Sequence, residues 1–161
     1  MGSNINALVL FSGGLDSTTS LAIAKSMGYK ITALTINYKQ RHDYEIIASK
    51  KIISNYSDVN HIIFDIDLTK IGGSALTDSS LDVPTEESAG IPITYVPARN
   101  TIFLSIAASY AETLKIKDIF IGVNAIDYSG YPDCRPEFIT SFEKMINLGT
   151  KAALEGSPFK I

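Results

Sequence analysis

The residues of this chain best suited to chemistry stand near its beginning, in Ser12-Gly13-Gly14-Leu15-Asp16-Ser17-Thr18-Thr19. Two adjacent glycines let the main chain turn sharply and approach a ligand with no Cβ in the way. Hydroxyls at Ser12, Ser17 and Thr18 add donors on both sides. The chemistry that suits such a set is the cradling of a phosphate. It is favoured further where the turn opens a helix, because the first helical N–H groups lack intrahelical partners and the helix dipole attracts an anion. Asp16 is the exception, since a carboxylate repels phosphate. It reads as a helix cap, as a ligand for a magnesium ion carried by the phosphates, or as both. The GxxxxGKS or GxxxxGKT pattern is missing, so no lysine is placed for a β/γ bridge, and there is no GxGxxG. The plain alternative is an ordinary capped strand–turn–helix, which paired glycines between hydroxyls disfavour.

Three other clusters carry polar groups. Tyr38, Gln40, Arg41 and His42 follow a second apolar run. Arg99 and Asn100 precede a long helical pattern, where Arg99 suits a phosphate or carboxylate bidentately and Asn100 suits a cap; the alternative is a surface arginine beside that cap. Residues 124–135 offer Asp127, Asp133 and Arg135 as hydrogen-bonding partners and Tyr128 and Tyr131 as rings, a set fit for the edge and face of a heterocycle. The alternative there is a solvated loop with locally packed tyrosines. His42 reads as part of a polar turn and His61 as packed or exposed. No histidine adjoins Cys134 in sequence to activate it.

Positioning these groups is the task of alternating elements. Residues 7–11 form a continuous apolar run, as expected of a strand buried on both faces. A helix is predicted over 16–27, a strand over 31–36, a helix over 43–55 and a strand over 61–64. Residues 65–97 break the rhythm with Gly72-Gly73 and with Pro84, Pro92 and Pro97, and a loop of that length tends to be functional or mobile. A helix over 101–114 places Ile102, Ile106, Tyr110 and Leu114 on one face. A strand over 119–123 follows, then a helix over 136–148 with proline in its first turn. Residues 157–161 read as the approach to another strand. Such alternation implies a parallel α/β sheet with right-handed crossovers.

With 161 residues the chain suffices for one domain with a substantial core. Its 45% hydrophobic and 19% charged residues fit a globular fold, and its net charge of -3 supplies no global basic field for a nucleic-acid backbone. A small-molecule partner is the expectation, with no direct nucleic-acid or membrane partner. A single cysteine excludes an intrachain disulfide and a cysteine-held zinc within these residues. No run approaches the ~20 apolar residues of a membrane span, which together with the cysteine usage points to the cytoplasm.

The SGGLDS turn resembles the pyrophosphate-loop motif of the ATP pyrophosphatase superfamily. With INYKQRHDYE (36–45), LTKIGGSALT (68–77), YVPARNTIFLSIAASYAE (95–112) and NAIDYSGYPDCRPEFI (124–139), the chain resembles the 7-cyano-7-deazaguanine synthase family of queuosine biosynthesis over about residues 8–161. The resemblance implies an open, mainly parallel, five-stranded Rossmann-like sheet of the adenine nucleotide alpha hydrolase type, strand order 3-2-1-4-5, with helices on both faces. It implies an ATP- and magnesium-dependent ligase that joins 7-carboxy-7-deazaguanine and ammonia through an adenylate, and a homodimer. ATP would be bound by Phe11, Ser12, Gly13, Gly14, Leu15, Asp16, Ser17, Thr18, Thr19, Ser20 and Leu21, with Asp16, Ser17 and Arg99 catalytic. The heterocycle would meet Tyr38, Gln40, Arg41, Asn100, Asp127, Tyr131, Asp133 and Arg135. Two departures stand out: Lys39 replaces the glycine of YGQRH, and the cysteine cluster that binds Zn2+ in family members lies in a segment beyond these residues, so none of them takes the zinc role. A tRNA-thiolating enzyme with the same loop, or a nucleotide-binding module without catalysis, are the rival readings. The single cysteine and the negative charge weigh against the first, and the intact loop with Asp16 against the second.

Overall fold

The computed structural model describes residues 5–40, 43–78, 91–123 and 131–161. Among the described residues four strands, β1 (Asn6–Leu10), β2 (Lys30–Asn37), β3 (Asn60–Asp65) and β4 (Asp118–Ile121), form a parallel sheet in the order β3-β2-β1-β4. The helices are α1 (Leu15–Ser26), α2 (Tyr44–Ile53), α3 (Arg99–Leu114), α4 (Pro136–Gly149) and the single turn α5 (Lys151–Leu154). Every predicted strand and helix up to residue 149 is present, with ends shifted by one or two residues.

Pleating explains why the strands are apolar throughout. Successive side chains point to opposite faces, so Leu8 and Leu10 with Leu34 and Ile36 enter one core, while Val9 and Phe11 with Ile31 and Ala33 enter the other. The first core is closed by α3 and α4 through Leu104, Ala107, Ala111, Phe142 and Ile146. The second is closed by α1 and α2 through Leu21, Ala24 and Ile53. Helices therefore cover both faces.

Two expectations need correction. The fifth strand is reduced to one parallel bridge, Lys160 to Asp118, in which Ile119 N–H donates to Lys160 O (2.8 Å) and Lys160 N–H to Lys117 O (2.9 Å). Pro158 has no N–H to offer a ladder, and Phe159 gives both its backbone groups to the Asn147 side chain (2.7 and 2.9 Å), so pairing cannot extend toward residue 157. On α3, the deepest stripe is Leu104, Ala107, Ala108 and Ala111, while Leu114 is exposed. Small residues let the helix axis approach the sheet, and Ile102, Phe103, Ile106 and Tyr110 then pack at the flanks. The irregular stretch before α3 also feeds this core, with Leu68, Ala75 and Val96 buried.

His61 is a structural residue on β3. Its Nε2 lies 2.8 Å from Thr35 Oγ1, whose hydroxyl donates to Phe11 O (2.6 Å), so the imidazole helps to fix the exit of β1. Burial, followed by the charge of Lys50, holds the ring below the ordinary histidine pKa.

Candidate active site

Parallel strands deliver their C-terminal ends, and the loops that follow, to one rim of the sheet. There β1 passes into Phe11-Ser12-Gly13-Gly14 and then α1. Gly14 is the N-cap of α1, and the first helical bond is Thr18 N–H to Gly14 O (3.0 Å), which leaves the N–H groups of the preceding turn outside the ladder. Asp16 is therefore not the cap; its carboxylate is exposed in the first turn. The hydroxyls knit the loop together. Ser17 Oγ accepts from Ser12 N–H (3.3 Å), lies 3.2 Å from Ser12 Oγ and donates to Gly14 O (3.1 Å), while Ser12 Oγ accepts from Gly14 N–H (3.2 Å). Thr18 Oγ1 donates to Gly14 O (2.8 Å) and Thr19 Oγ1 to Leu15 O (2.9 Å).

Two glycines set how closely the loop is held. Gly13 has φ +84°, and a Cβ there would stand 2.6 Å from Ser49 N on α2. Gly122, just past β4, faces the other side: a Cβ would stand 2.5 Å from both Asp16 C and Ser17 N. The first turn of α1 thus rests against the bare backbone of residue 122.

Beside the loop lies a cavity of about 120 Å3 lined by Ser12, Ser17, Tyr38, Glu45, Arg99 and Asn100, with apolar walls from Leu10, Leu34, Ile36, Phe103 and Ile121. It gathers residues from five chain segments: the end of β1 with the loop and helix start that follow it, the end of β2, the start of α2, the start of α3 and the end of β4. Tyr38 is buried, its ring 5.4 Å from that of Phe103, and its hydroxyl donates to Gln40 Oε1. Burial, then the charge of Glu45, raises the Tyr38 phenol above its ordinary pKa and keeps it protonated. Burial also pushes the Glu45 carboxyl up, opposed by Arg99 and by the Gln40 side chain. For Arg99 burial acts downward, but Tyr38, Glu45 and Asp133 outweigh it and raise the guanidinium above its usual value, so the cation persists. It lies 6.0 Å from the centre of the Phe103 ring.

The start of α3 is held from a distance. Asp133, in the short 3-10 turn Pro132–Cys134, accepts Asn100 N–H on Oδ2 (2.9 Å), and Asn100 Nδ2 donates to Asp133 O (3.0 Å) and Cys134 Sγ (3.3 Å). Asn100 is thus not the cap expected of it. The N-cap is Ala98, in the left-handed region at φ 54°, and α3 begins two residues earlier than its pattern suggests. The Asp133 carboxylate serves this helix start and is buried.

The remaining predicted residues are less central. Leu21 is fully buried in the core beneath α1, so its side chain cannot meet a ligand. Tyr131 stacks on Tyr95 at 6.0 Å and pairs its hydroxyl with Thr94 Oγ1 (2.8 Å). Arg135 is exposed at the N-cap of α4, donates Nε–H to Pro132 O (3.0 Å) and does not line the cavity. Ser20 and Leu15 lie on α1 outside the cavity lining, Leu15 being exposed. Arg41, His42, Asp127 and Tyr128 fall outside the described residues. Glu45 and Gly122 are the members that sequence reasoning missed. An acidic residue near a predicted helix start, five residues beyond Gln40, was the available signal for Glu45.

Lys39 occupies a left-handed backbone conformation, φ 57°, which disfavours any residue with a Cβ. Its 3.8 Å pairing with Asp67 is largely solvent-exposed and contributes little. Lys39→Gly is expected to stabilise the protein by about 0.5–1 kcal/mol after the flexibility cost of glycine. Urea midpoints of the two proteins check this; a lowered midpoint would mean that the ion pair outweighs the strain.

An exposed carboxylate in the first turn of α1 is a hard oxygen donor of the kind magnesium takes, so Asp16 fits that ion. Among the described residues no group of three His, Cys, Asp or Glu could hold a metal, so they do not fit a zinc site. Nor is any helix among them long and apolar enough to cross a membrane.

Residues 6–161 match the family model described as queuosine biosynthesis protein QueC. The chain is 56% identical over 155 residues to the 7-cyano-7-deazaguanine synthase of Pseudomonas fluorescens (strain SBW25), spanning 96% of this chain and 69% of that protein. In fold it is similar to a predicted subunit of tRNA methyltransferase from Methanocaldococcus jannaschii, with a TM-score of 0.56 at 21% identity, covering 89% of this chain and 64% of that one. A 4-thiouridine synthetase solved as an RNA complex with bound ATP has a TM-score of 0.51 at 18% identity, covering 90% and 41%. At those identities the two structures speak to the fold alone.

Proposed function

The chain belongs to the QueC family of queuosine biosynthesis proteins, and from that membership we propose that it makes 7-cyano-7-deazaguanine from 7-carboxy-7-deazaguanine and ammonia by ATP-driven adenylation. The observation that carries the adenylation chemistry is the shared cavity. It joins the hydroxyls of a helix-opening glycine loop to the half-buried Arg99, which suits a polyanion at one boundary and an organic acid beside it.

The substrate carboxylate is ionised at neutral pH, so its attack on the α-phosphorus needs no base. The new bond is carboxyl oxygen to phosphorus, and the bond to the bridging oxygen breaks, releasing pyrophosphate. The protein's share is alignment and stabilisation of the charge that moves onto the leaving group. The N–H groups at the start of α1 and the hydroxyls of Ser12 and Ser17 would take up that charge. Asp16 would hold magnesium, which when bound neutralises phosphate charge. Ammonia then displaces AMP to give the amide, shedding a proton. A second ATP activates the amide oxygen, and loss of that oxygen with AMP and two protons leaves the nitrile. Arg99 keeps its charge through both rounds and steadies the anionic partner.

The test is direct. The protein with ATP, magnesium, ammonium and 7-carboxy-7-deazaguanine is expected to yield the nitrile, detected by mass spectrometry, with two AMP and two pyrophosphate for each. ADP and phosphate as the sole nucleotide products would refute cleavage between the α- and β-phosphates. ATP bound but never consumed with this acid would refute the ligase reading.

A further inference from the structure

Glu45 has no part in the steps above, yet it is the only carboxylate among the described residues lining the cavity. Its surroundings are built rather than incidental. The Tyr38 hydroxyl donates to Gln40 Oε1, which turns the Gln40 amide nitrogen into the donor that meets the Glu45 carboxylate. Tyr38 is itself buried and pinned against Phe103. Gln40, itself held by Tyr38, thus meets the carboxylate in an apolar-walled cavity, with the Arg99 charge facing it. The other polar liners, Arg99, Ser12, Ser17 and Asn100, are a cation, two hydroxyls engaged with each other, and an amide engaged with the Asp133–Cys134 turn.

A carboxylate is acceptor-only and offers two parallel oxygens. Its complement is a planar group with two adjacent N–H donors, such as the ring N–H and exocyclic amine of a guanine-type heterocycle. We propose that Glu45 is the specificity-determining residue, reading that amino-bearing edge of the deazapurine. The identity of the substrate rests on the function proposed above; the preference for a paired-donor edge rests on the cavity. Truncating either side leaves a polar group without its partner, and such sites discriminate steeply.

The experiment compares equilibrium binding of 7-carboxy-7-deazaguanine and of its analogue lacking the exocyclic amine, by calorimetry, to the unaltered protein and to Glu45→Gln. The unaltered protein is expected to bind the amine-bearing acid about 10–100-fold more tightly than the analogue. Glu45→Gln should lose about that factor for the acid, while its affinity for the analogue changes by less than about threefold. Equal losses on both compounds would show that Glu45 merely positions Arg99, and would overturn the proposal, as would no loss or no discrimination by the unaltered protein. If Glu45→Gln melts below the assay temperature, Glu45→Asp carries the same comparison, keeping the charge with a shorter reach. Product formation is followed in parallel. Nitrile synthesis without edge discrimination sinks the role of Glu45 alone, whereas discrimination without synthesis sinks the ligase reading and leaves Glu45 standing.

Discussion

Replacing Gly122 by alanine is expected to lower kcat/KM for pyrophosphate release at least about 100-fold. The backbone of Gly122 is not in the left-handed region, so strain is not the cause; space is. The added Cβ would stand 2.5 Å from Asp16 C and Ser17 N and 2.7 Å from Asp16 O, all main-chain atoms of the first turn of α1. A flexible side-chain tip would swing aside at little cost, whereas a helix turn bonded through Thr18 N–H to Gly14 O must move as a piece. Moving it shifts the N–H groups that the proposed mechanism assigns to the leaving pyrophosphate, and a displacement of about 1 Å suffices for the expected loss. Overpacking should also destabilise the fold by about 1–3 kcal/mol. Melting temperature and pyrophosphate release, measured on the same preparation, separate the two effects. Near-normal turnover would mean that the phosphates are held somewhere other than the start of α1.

The second large effect concerns Arg99. Arg99→Ala removes the only cation among the described residues lining the cavity and should reduce kcat/KM about 100–1,000-fold, the range for deleting one preorganised charge-stabilising group. Arg99→Lys is expected to recover part of the loss, because charge returns without the planar fork. The guanidinium also packs toward the Phe103 ring and faces Tyr38 and Glu45, so a stability change accompanies the alanine variant. The lysine variant and a thermal melt distinguish the two causes. Full activity in Arg99→Ala would remove this residue from the site.

The loop after β1 was legible because its evidence is local: five apolar residues, two glycines and neighbouring hydroxyls make a strand, a turn and a helix start with no help from elsewhere. The start of α3 was misread for the opposite reason. Asn100 has the composition of a cap, but Asp133, 33 residues away, takes its N–H, and the helix begins at Arg99 behind Ala98. Lys39 shows a third case. The resemblance marked its position as one where glycine is usual, and only the backbone angle reveals why a side chain is costly there.

What the amino-acid order determined by itself was the alternation of strands and helices and the glycine turn between β1 and α1, because periodicity and turn chemistry act over a few neighbouring residues. What folding in three dimensions decided was membership of the cavity. Glu45 falls within a predicted helix over 43–55 and Gly122 within a predicted strand over 119–123, and neither place marks it as a member of a site. The sheet order β3-β2-β1-β4 brings β2 and β4 to either side of β1, so the helix after β2 carries Glu45 to the cavity and the end of β4 sets Gly122 against α1. Such neighbours are separated by crossovers, and no short window of sequence contains both.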